Sequence, residues 1–177
     1  MRRFFTLAVL LCLGCNFVFA KSSASVKAVI VSSFDQVKTI EPKSIILTAD
    51  QVKEVRNSAK APLDTKVYRY YDIIGRSGTL GKAVLIARKV RAKKATVLYA
   101  FDKKGTLRFS EIMRFEEPPE YIPNKTWMTQ LQEQKTSATL TVGKDIPTIS
   151  GSTLSALSIT EGARVARALY ETILKSK

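Results

Sequence analysis

Ala95-Thr-Val-Leu-Tyr-Ala-Phe-Asp-Lys-Lys-Gly-Thr-Leu-Arg-Phe-Ser-Glu-Ile-Met-Arg-Phe115 decides the fold. Two runs rich in β-branched and aromatic residues, 95–101 and 107–115, flank Asp102-Lys-Lys-Gly105, whose residue types suit a hairpin turn. They are read as antiparallel neighbours. Toward the N-terminus, 83–90 and 67–74 have the same composition, set apart by the charged stretch 91–94 and the glycine-bearing stretch 75–81. Thr48-Ala-Asp-Gln51 is a capping box followed by Val52, Val55 and Ala59 at helical spacing, which predicts a helix over 49–60 that Pro62 ends. Residues 26–31 are predicted to form a short strand. Toward the C-terminus, Ile159, Gly162, Ala163, Ala166, Leu169, Tyr170 and Ile173 make one stripe, predicting a helix over 154–175 with Arg164, Arg167 and Lys175 facing elsewhere. The sum is an α+β fold: a mainly antiparallel sheet flanked by helices, the long C-terminal helix packed on it.

The first 20 residues have the form of a cleavable secretory signal. Arg2 and Arg3 precede an apolar run over 4–15, and Val18-Phe-Ala20 places small residues where a signal peptidase cuts. Cleavage after Ala20 predicts a single domain over 21–177 at the periplasm or the outer face of the cytoplasmic membrane. Both cysteines, Cys12 and Cys15, leave with the signal, and the chain has no histidine. The usual ligands for zinc, haem or iron–sulfur clusters are therefore missing, as are a thiolate nucleophile and a histidine base. Redox chemistry would have to arrive with an organic cofactor. The net charge is +14, and losing Arg2 and Arg3 leaves +12. For an exported chain this points away from nucleic acid and toward an acidic partner or an anionic membrane surface, beside the plainer reading of a solvated basic exterior.

Gly75-Arg-Ser-Gly-Thr-Leu-Gly-Lys82 has the wrong spacing for a phosphate loop and leads into a strand instead of a helix. It is read as a turn. The second informative stretch is Asp145-Ile-Pro-Thr-Ile-Ser-Gly-Ser-Thr-Leu-Ser-Ala156, which gathers hydroxyls around one glycine at the start of the last helix. A helix N-terminus presents unpaired N–H groups and a positive dipole end, both suited to a phosphate. Ser and Thr there also serve simply as helix caps. Local chemistry leaves both readings open.

Ser150-Gly151-Ser152-Thr153-Leu154-Ser155 resembles the S-G-A-T-x-S signature of the bacterial FMN-binding domain, found in small exported flavoproteins and in subunits of sodium-pumping and related membrane redox complexes. The hairpin 101–115, the acidic proline-bearing stretch 117–121, Trp127 and Leu131 are similar to that domain in the same order. The resemblance spans about residues 66–173. It implies FMN held covalently through its phosphate on Thr153 by a separate flavin transferase, with Ser150, Gly151, Ser152 and Ser155 near the phosphate. Trp127, Tyr121 or Met128 are candidates to wall the flavin ring, and Arg164 is a candidate neighbour of the phosphate.

The function so implied is an electron carrier of the cell envelope serving membrane-bound iron–sulfur or haem proteins, not a complete enzyme. Ser152 stands where the family has alanine, and Pro147 where the transferase pattern has an acidic residue, with Asp145 two positions too early. These departures motivate the alternative of a flavin-free periplasmic binding or scaffolding module with the same fold.

Overall fold

Five strands follow one another as an antiparallel meander in the computed structural model, which describes residues 25–132, 134 and 138–176. They are β1 (Val37–Ile46), β2 (Val67–Gly75), β3 (Gly78–Lys89), β4 (Lys94–Asp102) and β5 (Leu107–Phe115), hydrogen-bonded in that order. The predicted signal, 1–20, lies outside the described residues. The predicted turn over 102–105 joins β4 to β5: Asp102 Oδ1 accepts from the N–H groups of Lys104 and Thr106, both at 2.9 Å. The stretch 75–81 holds the tight turn between β2 and β3, as its sequence predicts.

Around the sheet lie α1 (Val26–Ser33), α2 (Ala49–Ala59), a short α3 (Lys125–Thr129) and α4 (Thr153–Leu169), which runs on through a π turn over Tyr170–Leu174. The capping box of α2 is formed, Thr48 and Gln51 each accepting from the other's backbone N–H. Strand alternation splits the sheet into two apolar faces. Tyr70, Val84, Tyr99, Phe101 and Leu107 pack with α2, α3 and the stripe of α4 to form the larger core. Tyr71, Ile73, Leu98, Ala100 and Phe109 face the other way and meet Ile30 of α1.

Two elements correct the sequence reading. Residues 26–31 are helical, not extended: Ser25 caps α1 by accepting from Ala28 N–H at 3.2 Å, and the helix lays Ile30 on the sheet. A short apolar run does not by itself distinguish strand from buried helix. Strand β1, unread in the sequence, carries charges and Pro42, and it lies at the sheet edge, where proline is tolerated. Arg167, read as facing away from the stripe of α4, is itself buried and donates to Ala138 O at 2.6 Å.

Candidate functional site

The stretch 150–155 forms the loop that enters α4. Ser152 N–H donates to Ile149 O at 3.1 Å, closing a turn that Gly151 completes at φ +78°. A positive φ suits glycine, and a Cβ built there would touch nothing within 4 Å, so the loop is open on that side. Ser152 occupies the N-cap position, yet its side chain makes no capping bond. Its Oγ donates instead to Glu120 O at 3.3 Å, on the 3-10 turn Pro119–Tyr121. The other three helices are capped by the side chains of Ser25, Thr48 and Asn124. The first turn of α4 carries no acidic residue. Among the described residues its N–H groups and positive dipole end are thereby left without a side-chain acceptor.

Thr153, the first residue of α4, is exposed, and its hydroxyl donates back to Ile149 O at 3.2 Å. Ser150 and Gly151 are exposed beside it, whereas Ser152 and Ser155 are buried. Leu154 and Leu157 stand out of the same turn, 48% and 40% exposed, an apolar edge next to the hydroxyl.

Long-range bonds gather the neighbouring stretches around this loop. Trp127 of α3 is buried and donates its indole N–H to Pro147 O at 2.8 Å, fixing the chain just before the loop. Met128 is buried as well, so both face the core and not the loop's open side. Tyr121 is half-buried under the Arg91 guanidinium, 4.8 Å from its ring centre. Arg164 is not brought to the helix start; it donates to Leu140 O at 3.4 Å and Lys60 O at 3.5 Å. Asp145 is engaged with the Thr139 hydroxyl and with Thr141 N–H, and these bonds hold its carboxyl below the usual range.

Glu117 is a structural anchor that the sequence does not disclose. One carboxylate oxygen accepts the N–H groups of Arg91, Ala92 and Lys93 at 2.7–2.9 Å, stapling the β3–β4 turn to the chain after β5. Those bonds, with Lys93 first, hold the Glu117 carboxyl below its ordinary value. A depressed carboxyl stabilises the fold above its unfolded pKa and loses that contribution as pH falls through the folded value. Glu117→Gln is therefore expected to lower Tm at neutral pH and to lose less stability than the parent on acidification to about pH 3, read by thermal denaturation at both pH values. Equal acid sensitivity in both proteins would remove Glu117 from this role.

The described residues contain no cluster of His, Cys, Asp or Glu that could hold a metal and no helix long and apolar enough to cross a membrane. No protein-family model matches the chain, and no curated protein matches it at a significant level.

Proposed function

We propose that the protein is an exported FMN-binding electron-transfer protein of the cell envelope, with FMN attached through its phosphate to Thr153. One observation carries this: the exposed Thr153 hydroxyl stands on a helix start that has neither a side-chain cap nor an acidic residue. A phosphate ester there would meet backbone N–H groups and a helix dipole worth about 0.3–1 kcal/mol toward a negative charge. The open side of Gly151 gives such a group room. Ser152, whose hydroxyl is buried on Glu120 O, is the poorer acceptor of the linkage. Ser155 would face the phosphate through its backbone N–H and Ser150 through its exposed hydroxyl, while Ser152, whose N–H closes the turn on Ile149 O, would shape the loop beside Gly151.

Bound FMN would supply one- and two-electron transfer. The chain's part is to seat the phosphate and orient the flavin beside Leu154 and Leu157. No side chain is assigned as acid, base or nucleophile on a substrate, so the protein is a carrier and not a complete enzyme. Its partners are membrane-bound iron–sulfur or haem proteins, a flavin transferase for maturation, and no nucleic acid. The charge of +12 left after loss of the signal suits an acidic partner or an anionic membrane surface.

The burial of Trp127 in the core and the seating of Tyr121 under Arg91 leave little aromatic cover for a flavin ring. It favours a second reading, a flavin-free periplasmic binding or scaffolding module. Co-expression with a flavin transferase in exported form separates the two. The expected result is a mass gain equal to FMN less one water on the tryptic peptide 145–164, and its complete loss in Thr153→Ala with Tm unchanged. Colourless, unmodified protein would establish the flavin-free reading. A label that survives Thr153→Ala would move the linkage elsewhere.

A further inference from the structure

The far end of α4 borders a second feature, a cavity of about 410 Å³ between the β1–β3 edge of the sheet and the Tyr170 turn. Four lysines from four segments line it: Lys43 of β1, Lys82 of β3, Lys103 of the β4–β5 turn and Lys175 beyond the π turn. Against them stand two carboxylates, Glu41 and Asp72, which leaves a surplus of two positive charges on the walls.

The carboxylates are already engaged. Asp72 accepts from Lys82 at Oδ1, 2.5 Å, and from Lys43 at Oδ2, 2.6 Å, while Glu41 pairs with Lys43 at 3.3 Å. An ammonium group has three N–H donors. Lys82, whose side chain is 9% exposed, places one of them on Asp72, so a buried ammonium retains donors toward the cavity. Lys175 pairs with Glu171 at 3.0 Å, an exposed contact worth little and readily exchanged. The C-terminal end of α4 opposes an anion with roughly half a charge, less than the surplus on the walls.

The lining also indicates the kind of anion. The charged donors are all lysines, compact point charges with three rotatable N–H groups each, which can gather from several directions around the oxygens of a phosphate. The volume exceeds that of a bare phosphate and falls within the range of small-molecule sites. Apart from Ile74 and the Tyr170 ring the walls are mostly polar, which suits a hydrophilic remainder. We propose that this cavity binds the phosphate group of a small hydrophilic phosphate ester. Across the 17 residues of α4, about 25 Å separates it from the Thr153 loop, so it stands independently of the flavin reading.

The test is an NMR titration of the protein with glycerol 3-phosphate and inorganic phosphate, using glycerol as the neutral control. Vesicles of phosphatidylglycerol, against neutral phosphatidylcholine vesicles, distinguish a lipid headgroup from a soluble ester. The expected result is saturable shifts around Lys82, Lys103 and Tyr170, weakened by added salt, and at least about tenfold weaker affinity in Lys103→Gln/Lys175→Gln. Both substitutions are at exposed side chains, so an unchanged Tm verifies the fold. Lysine-dependent binding to anionic vesicles alone would uphold the phosphate site and assign its source to lipid. The proposal is overturned by an absence of lysine-dependent binding to either probe, or by shifts confined to 150–157.

Discussion

Gly162→Ala is expected to destabilise the protein by about 3 kcal/mol, although alanine is the better helix former by about 1 kcal/mol. A Cβ at this position of α4 would lie 2.6 Å from Tyr99 Oη and 3.3 Å from its Cζ. Tyr99 cannot move aside: it is 1% exposed and its hydroxyl donates to Ile159 O at 2.6 Å. The methyl group must either push α4 off the sheet or break that bond. Overpacking costs about 1–3 kcal/mol, and a buried polar group left unpaired about as much again. For a domain of this size, 3 kcal/mol corresponds to a Tm lower by roughly 6–12 °C. In a Tyr99→Phe background the oxygen in the way is gone, so the same substitution should cost clearly less. Thermal denaturation of the four proteins gives the coupling directly. An alanine variant as stable as the parent would mean that α4 sits farther from β4 than the geometry shows. Because Thr153 lies on the same helix, an α4 displaced from the sheet should also take up less flavin under the proposed function.

What the sequence disclosed tracks how local each determinant is. β2 to β5, α2 and α4 are specified by runs of residue types, turn chemistry and a capping box, all readable within about ten positions. β1 escaped because its charges and Pro42 suit only a strand with one edge unpaired, and edge position is a property of the whole sheet. Residues 26–31 read equally well as strand or helix because six apolar-rich positions suit either element; what decides, the burial of Ile30 in one cluster with Tyr71 and Phe109, is distant in sequence. The 150–155 loop was legible as a helix start. Its missing cap was not, because Ser152 is drawn away by Glu120, thirty-two positions earlier. Asp72 and Lys82 were hidden by a bulge. Counting outward from the β2–β3 turn pairs Asp72 with Gly81, but Leu80 is passed over between the Ile74–Thr79 and Ile73–Gly81 pairs. That single extra residue brings Lys82 opposite Asp72.

Asp72→Leu is expected to cost about 3–5 kcal/mol, and most of that loss should return on adding Lys82→Met. The asymmetry follows from burial. Asp72 and Lys82 are each 7% exposed and meet at 2.5 Å, so removing the carboxylate leaves a largely buried ammonium without its ion-pair partner, the Tyr70 ring lying 5.7 Å away. A cation–π contact at that distance is worth about 0.5–2 kcal/mol, less than the cost of the orphaned charge. Lys43 is half exposed and keeps Glu41, so it suffers little. Replacing both buried partners by apolar side chains of similar volume removes the charge and its penalty together. The pH dependence provides a second readout. Burial pushes the Asp72 carboxyl up, but hydrogen bonds and charge from Lys43 and Lys82 outweigh it and hold the group below the usual range. Its contribution is therefore present above the unfolded carboxylate pKa and lost as pH falls through the folded value. At the other end, Asp72 and then Glu41 raise the Lys43 pKa, so that share holds below about pH 10 and fades as pH rises further. The parent should lose stability on both sides of a broad plateau, whereas the double variant should show a shallower acid limb in urea midpoints measured across pH. If the double variant is as unstable as Asp72→Leu alone, the position requires the ion pair itself and not merely its neutral replacement, and the sheet at this edge is held by charge.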